Sequence, residues 1–160
     1  MQTQELALVV YTILVQMSVG AFVILGLIHF YALRKSDENN ANQMSDRALL
    51  AIGPVLVLGV IISFFHLGNP ANAFRAVTNL GTSWLSREIF FTLLFVATGA
   101  VFAFLQWRKI GSFQLRRIIA LIAAVLGLAL VFSMSKIYQL TAEPAWDSIA
   151  TPITFYITTF

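Results

Sequence analysis

IIALIAAVLGLALVFSMSKI, residues Ile118–Ile137, is the stretch whose reading decides the fold. It carries no charge before Lys136, and its apolar residues fall on every side of a helix rather than on one stripe. A bilayer core takes about twenty such residues, at about 1.5 Å of rise each. Arg116-Arg117 stand in front of the run, as basic residues do at a membrane boundary.

The same pattern recurs outward along the chain. Upstream, Ile89–Trp107 reads as a third span closed by Arg108-Lys109, and Ala48–Phe65 as a second, stopped at His66-Leu67-Gly68-Asn69-Pro70. Gly68 suits a left-handed helix cap there, and Pro70 cannot continue a helix. Leu6–Leu33 is the first span, closed by Arg34-Lys35; with no Lys or Arg ahead of it and so long an apolar stretch, it is not a secretory signal peptide. Between the spans, Ser36–Arg47 reads as a polar loop, Asn69–Arg87 as a mixed segment too polar to span, and Thr141–Ser148 as a short loop. Ile149–Phe160 begins a fifth span, but twelve residues make roughly 18 Å of helix, so a fifth helix cut short is expected. The expected fold is an all-α integral membrane protein, a bundle of four transmembrane helices plus the start of a fifth, forming one domain over residues 1–160.

Composition agrees. Of 160 residues, 59% are hydrophobic and 11% charged, against roughly a quarter charged in soluble domains. No cysteine is present, which excludes thiolate-bound zinc, iron–sulfur clusters and disulfides in this chain. The net charge of +3 reflects basic loops rather than a nucleic-acid surface. Seven basic residues (Arg34, Lys35, Arg47, Arg108, Lys109, Arg116, Arg117) fall in the first and third loops, and three (Arg75, Arg87, Lys136) on the other side. That bias places the first and third loops in the cytoplasm and the N-terminus outside. Trp84, Trp107 and Trp146 fall near the expected interfaces, and Ala120/Ala124, Ala123/Gly127 and Gly99/Ala103 offer small-residue contacts between helices.

Few groups remain to carry chemistry. His29 and His66 invite a bis-imidazole haem, but they belong to opposite faces, roughly 25 Å apart by helix rise, so one iron cannot take both. His66 closes the second span and Glu88 opens the third, both on the outer face. An imidazole and a carboxylate in a dry site both serve as proton acceptors, as oxidation of a hydroquinone needs. Each also has a structural alternative, imidazolium at a helix C-terminus and carboxylate at a helix N-terminus. Arg75 is a weaker candidate, for a lipid phosphate, a partner or the interface. Gln16, Ser18 and Ser63 are too few to suggest the pathway of a transporter or channel subunit.

His66-Leu67-Gly68-Asn69-Pro70 with Ala73-Phe74, then Asn79-Leu80-Gly81-Thr82-Ser83-Trp84-Leu85-Ser86-Arg87-Glu88-Ile89, resembles the membrane anchor subunit family of bacterial dimethyl sulfoxide reductase. The resemblance continues through Tyr138, Pro144-Ala145-Trp146-Asp147-Ser148 and Thr151-Pro152 and covers most of the chain. It implies a family of eight transmembrane helices without haem or other metal. Its members sit in the bacterial cytoplasmic membrane and hold a periplasmic iron–sulfur subunit and a molybdopterin catalytic subunit. It also implies oxidation of menaquinol, with the quinol-site histidine falling on His66 and the functional glutamate on Glu88. A purely structural anchor without its own quinol site is the alternative.

Overall fold

The computed structural model describes residues 3–35, 38–66, 79–139 and 144–160, with side chains for 6–31, 38–63, 79–139 and 144–160. Five helices follow one another: α1 (Thr3–Lys35), α2 (Glu38–His66), α3 (Trp84–Arg108), α4 (Phe113–Tyr138) and α5 (Ala150–Ile157). No strand occurs among the described residues. Each of the first four carries an apolar stretch of 25 or 26 residues, enough to cross a membrane, whereas α5 has eight residues and is too short.

The centre of the bundle is α1 against α4. α2 packs along α1 and α3 along α4, α5 rests on α4, and α2 meets α3 only sparsely. Val15, Val19, Phe22 and Leu25 of α1 interlock with Phe95 and Phe102 of α3 and with Ala120, Ala123 and Leu130 of α4. Phe22 sets its edge against Phe95 at 5.3 Å and against Phe102 at 6.0 Å, the geometry that aromatic quadrupoles favour. Gly127 is what lets α1 come so near α4: a Cβ there would stand 2.9 Å from Val19 Cγ1. This is the close approach that small residues permit where lipid supplies no hydrophobic drive between helices. Outward, Leu93 is 58% and Val125 65% exposed, as on a surface whose solvent is hydrocarbon.

Three helix starts differ from expectation, among them α4, which begins at Phe113 behind a Ser112 cap rather than at Ile118. The stretch Ser36–Arg47, expected as a loop, is helical from Glu38 onward. Its polar residues find partners inside the bundle: Asn42, Ser45 and Asp46 all bond to other helices, so hydropathy alone misjudged them. α3 begins at Trp84 rather than Ile89, because Ser83 is extended and its hydroxyl accepts a bond from the Ser86 N–H at 3.3 Å, a helix N-cap.

Candidate functional site

The Ser83 cap moves Glu88. Expected at the mouth of its helix, it is the fifth residue of α3, beyond the first turn, which holds no acidic residue. The free N–H groups and the positive end of the helix dipole lie within that first turn. Placement at a helix N-terminus therefore does not account for Glu88. Arg87 does not pair with it either. The Arg87 guanidinium bonds to the carbonyls of Leu80 and Gly81 at 2.8 and 2.9 Å and lies 4.1 Å over the Trp84 ring. It locks the turn that leads into α3.

Glu88 is 7% exposed and turned into the bundle, where Tyr11 of α1, 3% exposed, is its hydrogen-bond partner. The Tyr11 hydroxyl is also 3.1 Å from Thr92 Oγ1, and Thr92 donates to the backbone carbonyl of Glu88 at 2.8 Å. Tyr138, at the last turn of α4, lies within electrostatic reach of Glu88 and bonds to Thr12. The ring of Tyr138 packs against Trp146 and Phe155. A buried carboxyl thus sits among hydroxyls drawn from three helices. Among the described residues no cation pairs with it.

His66 is the terminal residue of α2. Gly59 packs against Leu14 and Val15 of α1, so His66, seven residues on, ends roughly one turn beyond the level of Tyr11, at the same end of the bundle as Glu88. The His66 side chain, and Arg75 entirely, lie outside the described residues. No group of three or more metal-ligating side chains occurs among the described residues.

The opposite end holds a second polar cluster. His29 is fully buried, with Nε2 2.6 Å from Ser45 Oγ and its ring stacked on Phe113 at 4.8 Å. Gln106, also fully buried, donates from Nε2 to the Asn42 carbonyl and side chain at 3.2 Å each and to Asp46 at 2.9 Å. Arg116 reaches Asn42 at 3.3 Å, and Lys109 pairs with Asp46 at 2.7 Å. His29 thus belongs to a joint of four helices. Mid-bundle hydroxyls are spent locally: Ser18 donates to Leu14, Ser63 to Val60 and Ser133 to Ala129 carbonyls, and Gln16 accepts from Thr158. That leaves little for a polar pathway across the bundle. Tyr11, Thr92 and Thr12 were not singled out from sequence; the available signal was a tyrosine and a threonine side by side in an otherwise apolar first span.

Between α2 and α3 runs an apolar cleft of about 310 Å³, lined by Phe22, Gly53, Leu56, Ile61, Val96 and Gly99 among others.

The family model of the DMSO reductase anchor subunit (DmsC) matches residues 1–160. The chain belongs to this anchor-subunit family. It is 33% identical to a component of the anaerobic dimethyl sulfoxide reductase of Escherichia coli strain K12, over 98% of its own length and 54% of that protein's. It is 31% identical to the YnfH component of an anaerobic dimethyl sulfoxide reductase of the same organism, over 96% and 53%. Similarity extends to a component of the sulfite dehydrogenase of Allochromatium vinosum, 34% identical over 53% of this chain and 26% of that one. The chain spans about half the length of the curated dimethyl sulfoxide reductase relatives it matches. No solved structure matches it. As a member of an anchor-subunit family with four membrane-spanning helices, it is a multi-pass membrane protein.

Proposed function

We propose that this anchor subunit oxidises menaquinol at the Glu88 end of the bundle. The electrons pass to a periplasmic iron–sulfur subunit, and from there to a molybdopterin catalytic subunit. The complex sits in the bacterial cytoplasmic membrane, with the N-terminus of this chain periplasmic. The observation that carries the reading is Glu88 itself, a buried carboxyl whose hydrogen-bond partner is the Tyr11 hydroxyl, with no cation beside it among the described residues. Buried carboxylates held for structure are paired with a positive charge, because an unpaired one is costly. One kept without such a partner is suited to gain and lose a proton.

Oxidation of a hydroquinone removes two electrons and two protons. In this reading the quinol ring docks at the end where α2 finishes and α3 begins. His66 takes one hydroxyl proton and Glu88 the other, or Glu88 orients His66. The apolar cleft between α2 and α3 begins one to two turns deeper than these residues and suits the polyprenyl tail. Arg75 remains a weaker candidate for contact with the quinol or a lipid phosphate.

The test is menaquinol-dependent electron transfer through the assembled complex, with His66→Leu and His66→Arg beside the parent. Turnover is expected to be blocked while the complex still assembles; parental turnover in either variant would refute the assignment. Single cysteines introduced in this cysteine-free protein, at the N-terminus and near Gly111, test the orientation by labelling from the periplasmic side. Labelling at Gly111 would reverse it.

A further inference from the structure

We propose that Tyr11 is a positioning residue for Glu88, its hydroxyl reversing between donor and acceptor so that the buried carboxyl is satisfied both with and without a proton. This rests on the reading of Glu88 as a proton acceptor. The argument is a proton count around three groups. Thr92 donates its one hydroxyl proton to the Glu88 carbonyl at 2.8 Å, so at the 3.1 Å contact with Tyr11 its oxygen accepts and Tyr11 donates. In that arrangement the Tyr11 oxygen accepts from a protonated Glu88, its hydrogen-bond partner. The hydrogen bonds then run from the Glu88 carboxyl to Tyr11, to Thr92, and back to the Glu88 backbone, with every donor used.

When Glu88 is ionised, the Tyr11 hydroxyl turns and donates to the carboxylate. A phenol hydroxyl is suited to both states, since it donates and accepts, whereas a guanidinium or a backbone N–H only donates and would hold the carboxylate in its charged form. The proton step balances simply. The quinol O–H bond breaks, its proton adds to a Glu88 carboxylate oxygen, and the electrons leave to the iron–sulfur partner. Tyr11 itself gains and loses nothing; only the direction of its hydrogen bond changes.

The experiment uses the assembled complex in membranes and reads menaquinol oxidation across pH for Tyr11→Phe, Thr92→Val, Glu88→Gln and the double variant Tyr11→Phe/Glu88→Gln. Tyr11→Phe keeps the ring and removes the hydroxyl. It is expected to slow turnover about tenfold and to move the acid limb of the pH–rate profile toward higher pH, because the carboxylate loses a donor. Thr92→Val removes the acceptor that Tyr11 uses while Glu88 is protonated, so it should move the limb the other way, toward lower pH and by less, and it serves should Tyr11→Phe fail to assemble. In the Glu88→Gln background Tyr11→Phe should add little. A merely structural Tyr11 would change the amount of complex and leave the pH profile in place. Parental pH profiles for both Tyr11→Phe and Thr92→Val, with Glu88→Gln slow, would overturn the role of Tyr11 alone. A Glu88→Gln variant with parental turnover would instead overturn the reading on which it rests.

Discussion

The bundle carries a polar cluster at each end, and the two are built on opposite rules. At the Asp46 end, charges meet a counter-charge or an amide: Asp46 takes Lys109 and Gln106, while Arg116 bonds to Asn42. At the Glu88 end, a carboxyl on a residue 7% exposed meets the Tyr11 hydroxyl, and no cation among the described residues. The first arrangement fixes helices, through side-chain bonds that join α1, α2, α3 and α4. The second leaves a titratable group without a compensating cation among the described residues, an arrangement that costs stability and suits proton exchange. Equal polarity at two ends of one bundle therefore does not mean equal purpose.

The sharpest way to break the contrast is Glu88→Gln. Gln is close to Glu in size and keeps hydrogen bonding with Tyr11, so the complex should assemble. Loss of a proton acceptor is expected to slow menaquinol oxidation about 10²-fold, or about 2.7 kcal/mol of transition-state stabilisation at 1.36 kcal/mol per tenfold. Steady-state turnover in the assembled complex checks it. Unchanged turnover would make the Glu88 end as structural as the other.

The converse substitution is Gln106→Leu. It removes the amide that joins α3 to Asn42 and Asp46 of α2, the two helices that otherwise meet sparsely. A loss of about 1–2 kcal/mol is expected, since the bonds of the buried Gln106 amide to Asn42 and Asp46 are removed. It should appear as a lower thermal-unfolding midpoint in detergent, with quinol turnover per assembled complex unaltered. A fall in turnover without a fall in stability would place function at the Asp46 end as well.

Gly53→Leu probes the ground between the ends. A Cβ on Gly53 meets nothing within 4 Å, and the residue lines the apolar cleft between α2 and α3. The added side chain projects into open space, at the cost of crowding between its Cβ and the ring of Pro54, which follows it in α2. If the cleft takes the polyprenyl tail, KM for long-tailed menaquinol should rise about threefold to tenfold, while a tail-less naphthoquinol is turned over as by the parent. Equal effects on both donors would remove the tail from the cleft.

How much of this was legible in the sequence follows from which forces act locally. Four spans were legible because lipid imposes a length and a composition on each helix independently of the others. Glu88 was legible as a lone carboxylate beside an apolar run. Its surroundings were not, because Tyr11 stands 77 residues away and meets it only through the packing of α1 on the bundle. Ser36–Arg47 misled for the same reason: Asn42, Ser45 and Asp46 look like loop residues until Gln106, His29 and Lys109 arrive to bond them. The start of α3 was missed for a smaller reason, since the Ser83 cap was available in sequence and was outweighed by the polarity of Arg87 and Glu88.

The smallest expected effect belongs to the one ion pair among the described residues. Lys109 and Asp46 lie 2.7 Å apart, yet their side chains are 49% and 44% exposed. Water and salt screen such a pair, and ordering two side chains offsets part of the attraction, so it contributes about 0–1 kcal/mol. Lys109 also carries φ 54° as the left-handed cap of α3. Lys109→Gln keeps that strained backbone comparable and removes the charge, whereas Lys109→Gly would relieve the strain and confound the reading. The expected result for Lys109→Gln is a shift in unfolding midpoint too small to match Gln106→Leu, shrinking further at high salt. Asp46 keeps its bond from Gln106 in this variant, so the joint between α2 and α3 stays closed. A loss as large as that of Gln106→Leu, insensitive to salt, would mean that the pair is shielded from solvent and that charge, rather than the buried amide, holds the Asp46 end together.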